Sequence, residues 1–183
     1  PTGTYLTRKE IIDLLKALPK NIIVVLDGAY AEYVIKDDYD GGFSLADEFN
    51  NVIITRTFSK VYGLAGLRIG WCYSSEKVAP ILNKVKGPFN TQSISQDISI
   101  IALEDKDYLK MVIENNHKIK NWFEKELKKL YIDTRSSEGN FSFIETSEKK
   151  AKEISTHLEN EGILVRQLDS YGLPNCLRIT IGH

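Results

Sequence analysis

The run Ile22-Ile23-Val24-Val25-Leu26-Asp27 constrains the fold more than any other stretch of this chain. Five apolar residues without alternation, four of them β-branched, read as a parallel strand buried on both faces, and such sheets need helices on each side. The flanks supply helices. Thr7-Arg8-Lys9-Glu10 is a capping box, opening a helix whose apolar positions Ile11, Leu14, Leu15 and Leu18 share one face until Pro19 stops it. A polar loop through Asp37-Asp38-Tyr39-Asp40-Gly41-Gly42 leads to a strand at 52–56 and another at 69–73. Ser74 or Ser75 then caps a helix carrying Val78, Ile81, Leu82 and Val85, which Gly87-Pro88 ends. This alternation of helix and strand predicts an α/β fold with a doubly wound sheet.

From about residue 91 the pattern changes to long helices. Ile94, Ile98, Ile101 and Ala102 make one stripe, and Leu109, Val112, Ile113, Asn116, Phe123, Leu127 and Leu130 make the next, with Trp122-Phe123 read as core. Strands at 141–144, 163–166 and 176–181, with a helix from Ser147 to about Glu161 ended by Gly162, form a small α+β domain. The division expected is 1–90, 91–130 and 131–183.

Chemistry concentrates at Lys60, in the run Thr57-Phe58-Ser59-Lys60 that follows the strand at 52–56. A lysine becomes a Schiff-base nucleophile only where its amine is shielded from bulk water and its pKa is lowered, and strand ends in α/β sheets offer such places. Thr57 and Ser59 place two hydroxyls beside it. Arg68, eight residues on and past the glycines Gly63 and Gly66, adds a guanidinium suited to a phosphate. Asp27 ends the buried strand, where an acid needs a cationic partner such as a protonated ring nitrogen, and Tyr30 follows three residues later.

Composition narrows the class. With 24 basic and 25 acidic residues the net charge is −1, so no basic field calls for nucleic acid or an anionic membrane. No apolar stretch is long enough to span a membrane, and the start lacks a charged-then-apolar signal. Cys72 and Cys176 sit in apolar strand patterns and read as reduced core residues of a cytoplasmic protein. His117, His157 and His183 have no partners at ligand spacing, so no metal site is expected.

Taken in order, Pro1-Thr2-Gly3-Thr4, Asp27-Gly28-Ala29-Tyr30, Thr57-Phe58-Ser59-Lys60, Gly66-Leu67-Arg68 and Leu177-Arg178-Ile179-Thr180 resemble the fold-type I, pyridoxal-phosphate-dependent aminotransferases, and within them the histidinol-phosphate branch. The resemblance runs the length of the chain. It implies pyridoxal 5'-phosphate as cofactor, an amino donor and a 2-oxo acid as substrates, and a homodimer. It further implies that Lys60 bonds the cofactor and moves the substrate proton, that Asp27 pairs with the ring nitrogen, and that Tyr30 bonds the ring oxygen. Thr57, Ser59 and Arg68 would hold the cofactor phosphate. Arg178 would grip the anionic end of the substrate and Arg166 its phosphate. Alternation along 176–181 leaves a solvent-facing placement open for Arg178, and Arg166 also reads as a surface cation. Asn140 fits a family position near the substrate but equally a loop ending.

The family's pattern extends upstream of Pro1-Thr2-Gly3 and downstream of His183, so the chain reads as a fragment, its 1–90 part being the C-terminal portion of the large cofactor-binding domain and 131–183 a small C-terminal domain. Alone it is expected to bind cofactor weakly and to be inactive. The same residues would serve an aromatic-amino-acid aminotransferase or a threonine-phosphate decarboxylase. A regulator built on the aminotransferase fold is the non-enzyme alternative, opposed by the near-neutral charge.

Overall fold

The computed structural model describes residues 2–182, the Glu148 side chain excepted; Pro1 and His183, both read in the sequence, lie outside the described residues. The chain divides into two compact units, Leu6–Lys110 and a second that joins the residues up to Tyr5 with those from Met111 on.

In the first unit the capping box forms as expected. The Thr7 hydroxyl accepts from Glu10 N–H at 3.2 Å, the Glu10 carboxylate accepts from Thr7 N–H at 2.8 Å, and α1 (Arg8–Ala17) begins there. It buries Ile11 and Leu15 against a sheet of three strands, β1 (Val24–Asp27), β2 (Val52–Thr57) and β3 (Gly70–Ser74). β1 pairs parallel with β2, and β3 pairs antiparallel with β2. Between β1 and β2, where only a polar loop is expected, lies a short helix, α2 (Phe43–Glu48). Gly41 and Gly42, both at positive φ, turn the chain into it, where a Cβ would be strained. Ile11, Leu15, Leu45, Ala46, Val52 and Ile54 then form one core with Val24 and Leu26 packed against it.

That core covers one face of the sheet only. Ile23 and Val25 are 51% and 55% exposed, so the strand expected to be buried on both sides is half-buried: on that face the central strand buries Ile53, while the edge strand β1 is left open among the described residues. Cys72, expected in the core, is exposed on β3 for the same reason. α3 (Ala79–Val85) is not capped by Ser74 or Ser75: its N-cap is Val78, and the Ser75 hydroxyl instead donates to the Asn50 carbonyl at 3.0 Å. In α4 (Ser93–Glu104) the polar side turns inward. Ser95 and Ser99 are buried while Ile94, Ile100 and Ile101 are exposed, since Ser95 donates to the Leu67 carbonyl and Ser99 to the Ser95 carbonyl.

A polar cluster joins α1 to α2. Arg8 pairs with Asp40 at 3.2 Å and with Glu48, while Asp40 accepts from Gly42 N–H at 2.8 Å and from the Ser44 hydroxyl. Burial pushes the Asp40 carboxyl up, but Ser44, Gly42 and Arg8 together outweigh it and hold the group below its ordinary value.

The second unit takes most of α5 (Lys106–Lys129), which buries Val112, Asn116 and Lys120; Trp122, expected in the core, is 60% exposed on the opposite side. β4 (Thr134–Arg135), β5 (Phe141–Glu145), β6 (Arg166–Leu168) and β7 (Leu173–Thr180) make an antiparallel sheet in the order β4-β5-β7-β6. α6 (Glu148–Asn160) is capped by the Ser147 hydroxyl and followed by Gly162 at φ 80°. The third strand starts later than the expected 163: Ile163 and Leu164 lie exposed in the connection, and pairing with β7 begins only at Arg166. Among the described residues no helix is long and apolar enough to cross a membrane, and no cluster of three His, Cys, Asp or Glu side chains is placed to hold a metal.

Two outcomes follow for denaturant unfolding of the chain. Leu45→Ala should cost about 2–5 kcal/mol because Leu45 is fully buried in the first core, whereas Val25→Ala should cost well under that because its site is already wet. A carboxyl depressed on folding lends stability above its ordinary pKa and loses it as pH falls. Stability should therefore drop on acidification from about pH 5 to about pH 3, and Asp40→Asn should flatten part of that drop.

Candidate active site

β2 delivers the chain to a loop that two side chains pin from inside. Phe58 and Val61 are 3% and 1% exposed, and Phe58 packs on Tyr62 with ring centroids 5.1 Å apart. Backbone bonds close the turn: Gly63 N–H donates to the Lys60 carbonyl and Leu64 N–H to that of Phe58, each at 2.9 Å. With positions 58 and 61 inside, Lys60 is left half-buried, and its Nζ lies 5.2 Å from the centroid of the Tyr30 ring. Ser59 N–H donates to Thr57 Oγ1 at 3.1 Å, which sets the hydroxyl of one against the backbone of the other. The loop ends at Arg68, held in the left-handed region (φ 50°, ψ 46°) by a bond from its guanidinium to the Ala65 carbonyl at 2.8 Å. Its side chain is otherwise exposed.

Asp27 reaches the same place from β1. It is in register with Thr55, so Asp27, Thr55 and, two residues on, Thr57 project from one face of the sheet at its carboxyl end. Asp27 is exposed, contrary to the expectation of a buried acid in need of a cation. One oxygen accepts from Ala29 N–H at 3.1 Å; the other has no bond among the described residues. The first unit thus gathers Asp27, Tyr30, Thr57, Ser59, Lys60 and Arg68 around one strand end. A carboxylate with a spare oxygen, two hydroxyls, a guanidinium and a lysine over an aromatic ring form a donor set that fits a phosphorylated aldehyde with a basic ring nitrogen.

Behind this face lies a pair that sequence reasoning missed. Arg56, whose side chain is 4% exposed, sits on the core side of β2 in line with Val52 and Ile54. Its Nε faces Glu32 at 3.4 Å, its Nη1 donates to the Thr55 carbonyl at 3.1 Å, its Nη2 to the Gly41 carbonyl at 2.5 Å, and the group stacks 5.0 Å over Phe43. Burial pushes the Glu32 carboxyl up, against the opposing pull of its own backbone N–H and of Arg56. Neighbouring Tyr33 is pushed up to about 12 by burial, which keeps its hydroxyl neutral. A cavity of about 480 Å³ beside the pair is lined by Glu32, Tyr39, Phe43, Arg56, Tyr62 and Trp71. A charge at a position where the strand pattern demands an apolar residue was the available signal.

In the second unit Arg166 and Arg178 are direct partners across β6 and β7, and Arg178 also pairs in register with Phe143 on β5. This decides the placement of Arg178, which lies half-buried on the Phe143 side of the sheet with its guanidinium 4.7 Å over Phe141. Arg166 lies 5.7 Å over Tyr171. Two cations opposite each other repel, and among the described residues neither has an acidic partner, whereas Arg135 in the same row is paired with Glu145. The arrangement suits a bound anion. Asn140, at the entry to β5, is half-buried and its carbonyl accepts from Ile181 N–H at 2.8 Å.

Comparison with known proteins agrees along the whole chain. A family described as aminotransferase class I and II matches residues 1–183. Histidinol-phosphate aminotransferase of Maricaulis maris (strain MCS10) is 40% identical over 185 residues, covering 100% of this chain and 51% of that protein. Histidinol-phosphate aminotransferase 2 of Haemophilus influenzae (strain 86-028NP) is 42% identical, covering 100% and 50%. The crystal structure of histidinol-phosphate aminotransferase from Sinorhizobium meliloti in complex with pyridoxal-5'-phosphate superposes with a TM-score of 0.91 at 30% identity, over 99% of this chain and 50% of that one. The chain spans about half the length of the curated relatives it matches.

If the paired arginines form an anion site, inorganic phosphate at tens of millimolar should raise the melting temperature of the chain, and Arg166→Gln or Arg178→Gln should abolish most of the rise. In the absence of phosphate, Arg166→Gln should be neutral or stabilising by about 0.2–1 kcal/mol, since it removes a like-charge pair.

Proposed function

The chain belongs to the class I and II aminotransferase family, and on that premise we propose that the whole protein exchanges an amino group between L-histidinol phosphate and 2-oxoglutarate, with pyridoxal 5'-phosphate bound at Lys60. The observation that carries this reading is the convergence of Asp27, Tyr30 and Lys60 at the ends of β1 and β2, with Lys60 Nζ 5.2 Å from the Tyr30 ring. Residues 1–90 are read as the C-terminal part of the cofactor-binding domain, 91–130 as connecting helices and 131–183 as the small domain. The substrate side rests on the names of the relatives at about 40% identity and on the Arg166 and Arg178 pair.

When bound, the cofactor supplies an electron sink for the bond electrons released at the substrate α-carbon. Asp27 would hold the ring nitrogen in its charged form, and its turn is stiffened by the bond from Ala29 N–H. Tyr30 offers its hydroxyl to the ring oxygen. Thr57, Ser59 and the exposed guanidinium of Arg68 would hold the cofactor phosphate. Lys60 would hold the cofactor and, as general base, would hold and move the proton of the substrate α-carbon. Arg166 and Arg178 take the anionic groups of the substrate. A homodimer agrees with the exposed apolar residues Ile23, Val25, Ile94 and Ile101, which invite a covering partner, and a cytoplasmic location is part of the same reading. An aromatic-amino-acid aminotransferase or a threonine-phosphate decarboxylase would need the same cofactor residues and a different substrate pocket.

Borohydride trapping with pyridoxal 5'-phosphate followed by peptide mapping should place the label on Lys60, and Lys60→Ala should take up none above background; label on another lysine would sink the reading. In the whole protein, amino transfer to imidazole acetol phosphate should exceed that to phenylpyruvate, and Lys60→Ala should lower turnover by at least ~10²–10⁴-fold, the scale of general-base catalysis.

A further inference from the structure

The contacts of the Arg56–Glu32 pair run to the backbone and to neighbouring rings, and two of its anchors, the Thr55 carbonyl and the turn that holds Glu32, adjoin the segments that carry the groups assigned above. The Arg56 guanidinium shares the Thr55 carbonyl with Gly28 N–H, which donates to it at 3.0 Å, so one acceptor ties the end of β1 to the end of β2. The guanidinium fills the space beside Gly28 so closely that a Cβ there would fall 1.7 Å from Nη1. Glu32 stands in the short 3₁₀ turn Ala31–Tyr33, which is anchored on Gly28 by the bond from Ala31 N–H at 3.1 Å. The third contact, to the Gly41 carbonyl, fixes the loop leading into α2. The turn Asp27-Gly28-Ala29-Tyr30 is thereby held from behind, while its functional side chains face the other way.

We propose that Arg56, with Glu32, is a positioning residue that sets Asp27 and Tyr30 against Thr57 and Lys60, and that Gly28 is required so that the guanidinium can occupy that place. The inference rests on the cofactor reading given above for what the turn presents, but not for the grip itself. Two physical points separate positioning from mere stability. A buried ion pair gives little net stabilisation, and replacement of both members by apolar groups of similar size is commonly neutral or better. The geometry imposed on the Gly28 turn by fixed donor directions cannot be reproduced by an apolar pair.

The test compares the wild-type chain with Arg56→Met/Glu32→Leu and with Gly28→Ala, which keeps both charges but displaces the guanidinium. Two readouts are taken. Amide exchange at Gly28 and Ala29, relative to β2 amides such as Ile54, needs no cofactor, and the dissociation constant for pyridoxal 5'-phosphate comes from a titration followed by absorbance. Positioning predicts that a variant melting within a few degrees of wild type exchanges Gly28 and Ala29 at least tenfold faster, with Ile54 unchanged, and binds cofactor at least tenfold more weakly. Arg56→Lys, which retains a shorter cation, should restore part of both effects when combined with Gly28→Ala. Should a folded variant match wild type within twofold in exchange and binding, the proposal is overturned. If the double variant fails to fold, Gly28→Ala decides by the same measures. Whole protein that takes up no cofactor at millimolar concentration would refute the cofactor reading instead, and the exchange data would still judge the grip.

Discussion

The parallel pairing of β1 with β2, Val24 opposite Val52 through Asp27 opposite Thr55, is the constraint on which the first unit depends. It faces Val24, Leu26, Val52 and Ile54 toward Ile11, Leu15 and Leu45, so a single register builds the core. The same register brings Asp27 level with the start of the loop that carries Lys60. A slip by one residue would turn the core residues outward and carry Asp27 to the wrong side of the sheet. Packing and the candidate site are therefore one decision made twice.

The two sides of that sheet meet different demands. Its core side is dry enough that a charge there needs company, and Arg56 finds it in Glu32, two carbonyls and the Phe43 ring. The opposite side leaves Val25, Cys72 and Asp27 exposed, and there a carboxylate with one unused oxygen costs little. α4 shows the same asymmetry, with serines turned inward to satisfy carbonyls and isoleucines turned out. In the second unit the conflict is between like charges. Arg166 and Arg178 sit opposite each other and lean on Tyr171 and Phe141 rather than on acids.

Much of this was legible in one dimension. The capping box at Thr7, the strand ending at Asp27, the loop at Thr57-Phe58-Ser59-Lys60 and the helix beginning at Ser147 all depend on neighbours within a few residues, and each lies where local chemistry puts it. What misled were properties set by distant partners. Full burial of residues 22–27 and the inward stripe Ile94, Ile98, Ile101 assume covering layers that periodicity does not reveal, and of the pair Trp122-Phe123 read as core, Trp122 lies outside. Arg56 was passed over although it interrupts an apolar alternation.

Residue order alone determined which groups each unit has available: in the first a lysine after a strand, an acid at a strand end, two hydroxyls and Arg68, and in the second the arginines at 166 and 178. It also determined the local elements that carry them, because caps, turns and strand runs are written in short-range chemistry. Only the tertiary structure decided which groups meet. The pairing of Asp27 with Thr55, the stacking of Lys60 on Tyr30, the opposition of Arg166 and Arg178, and the Arg56 guanidinium wedged beside Gly28 are contacts between segments. Register and burial, not composition, bring such segments together, and both are fixed by packing of the whole unit.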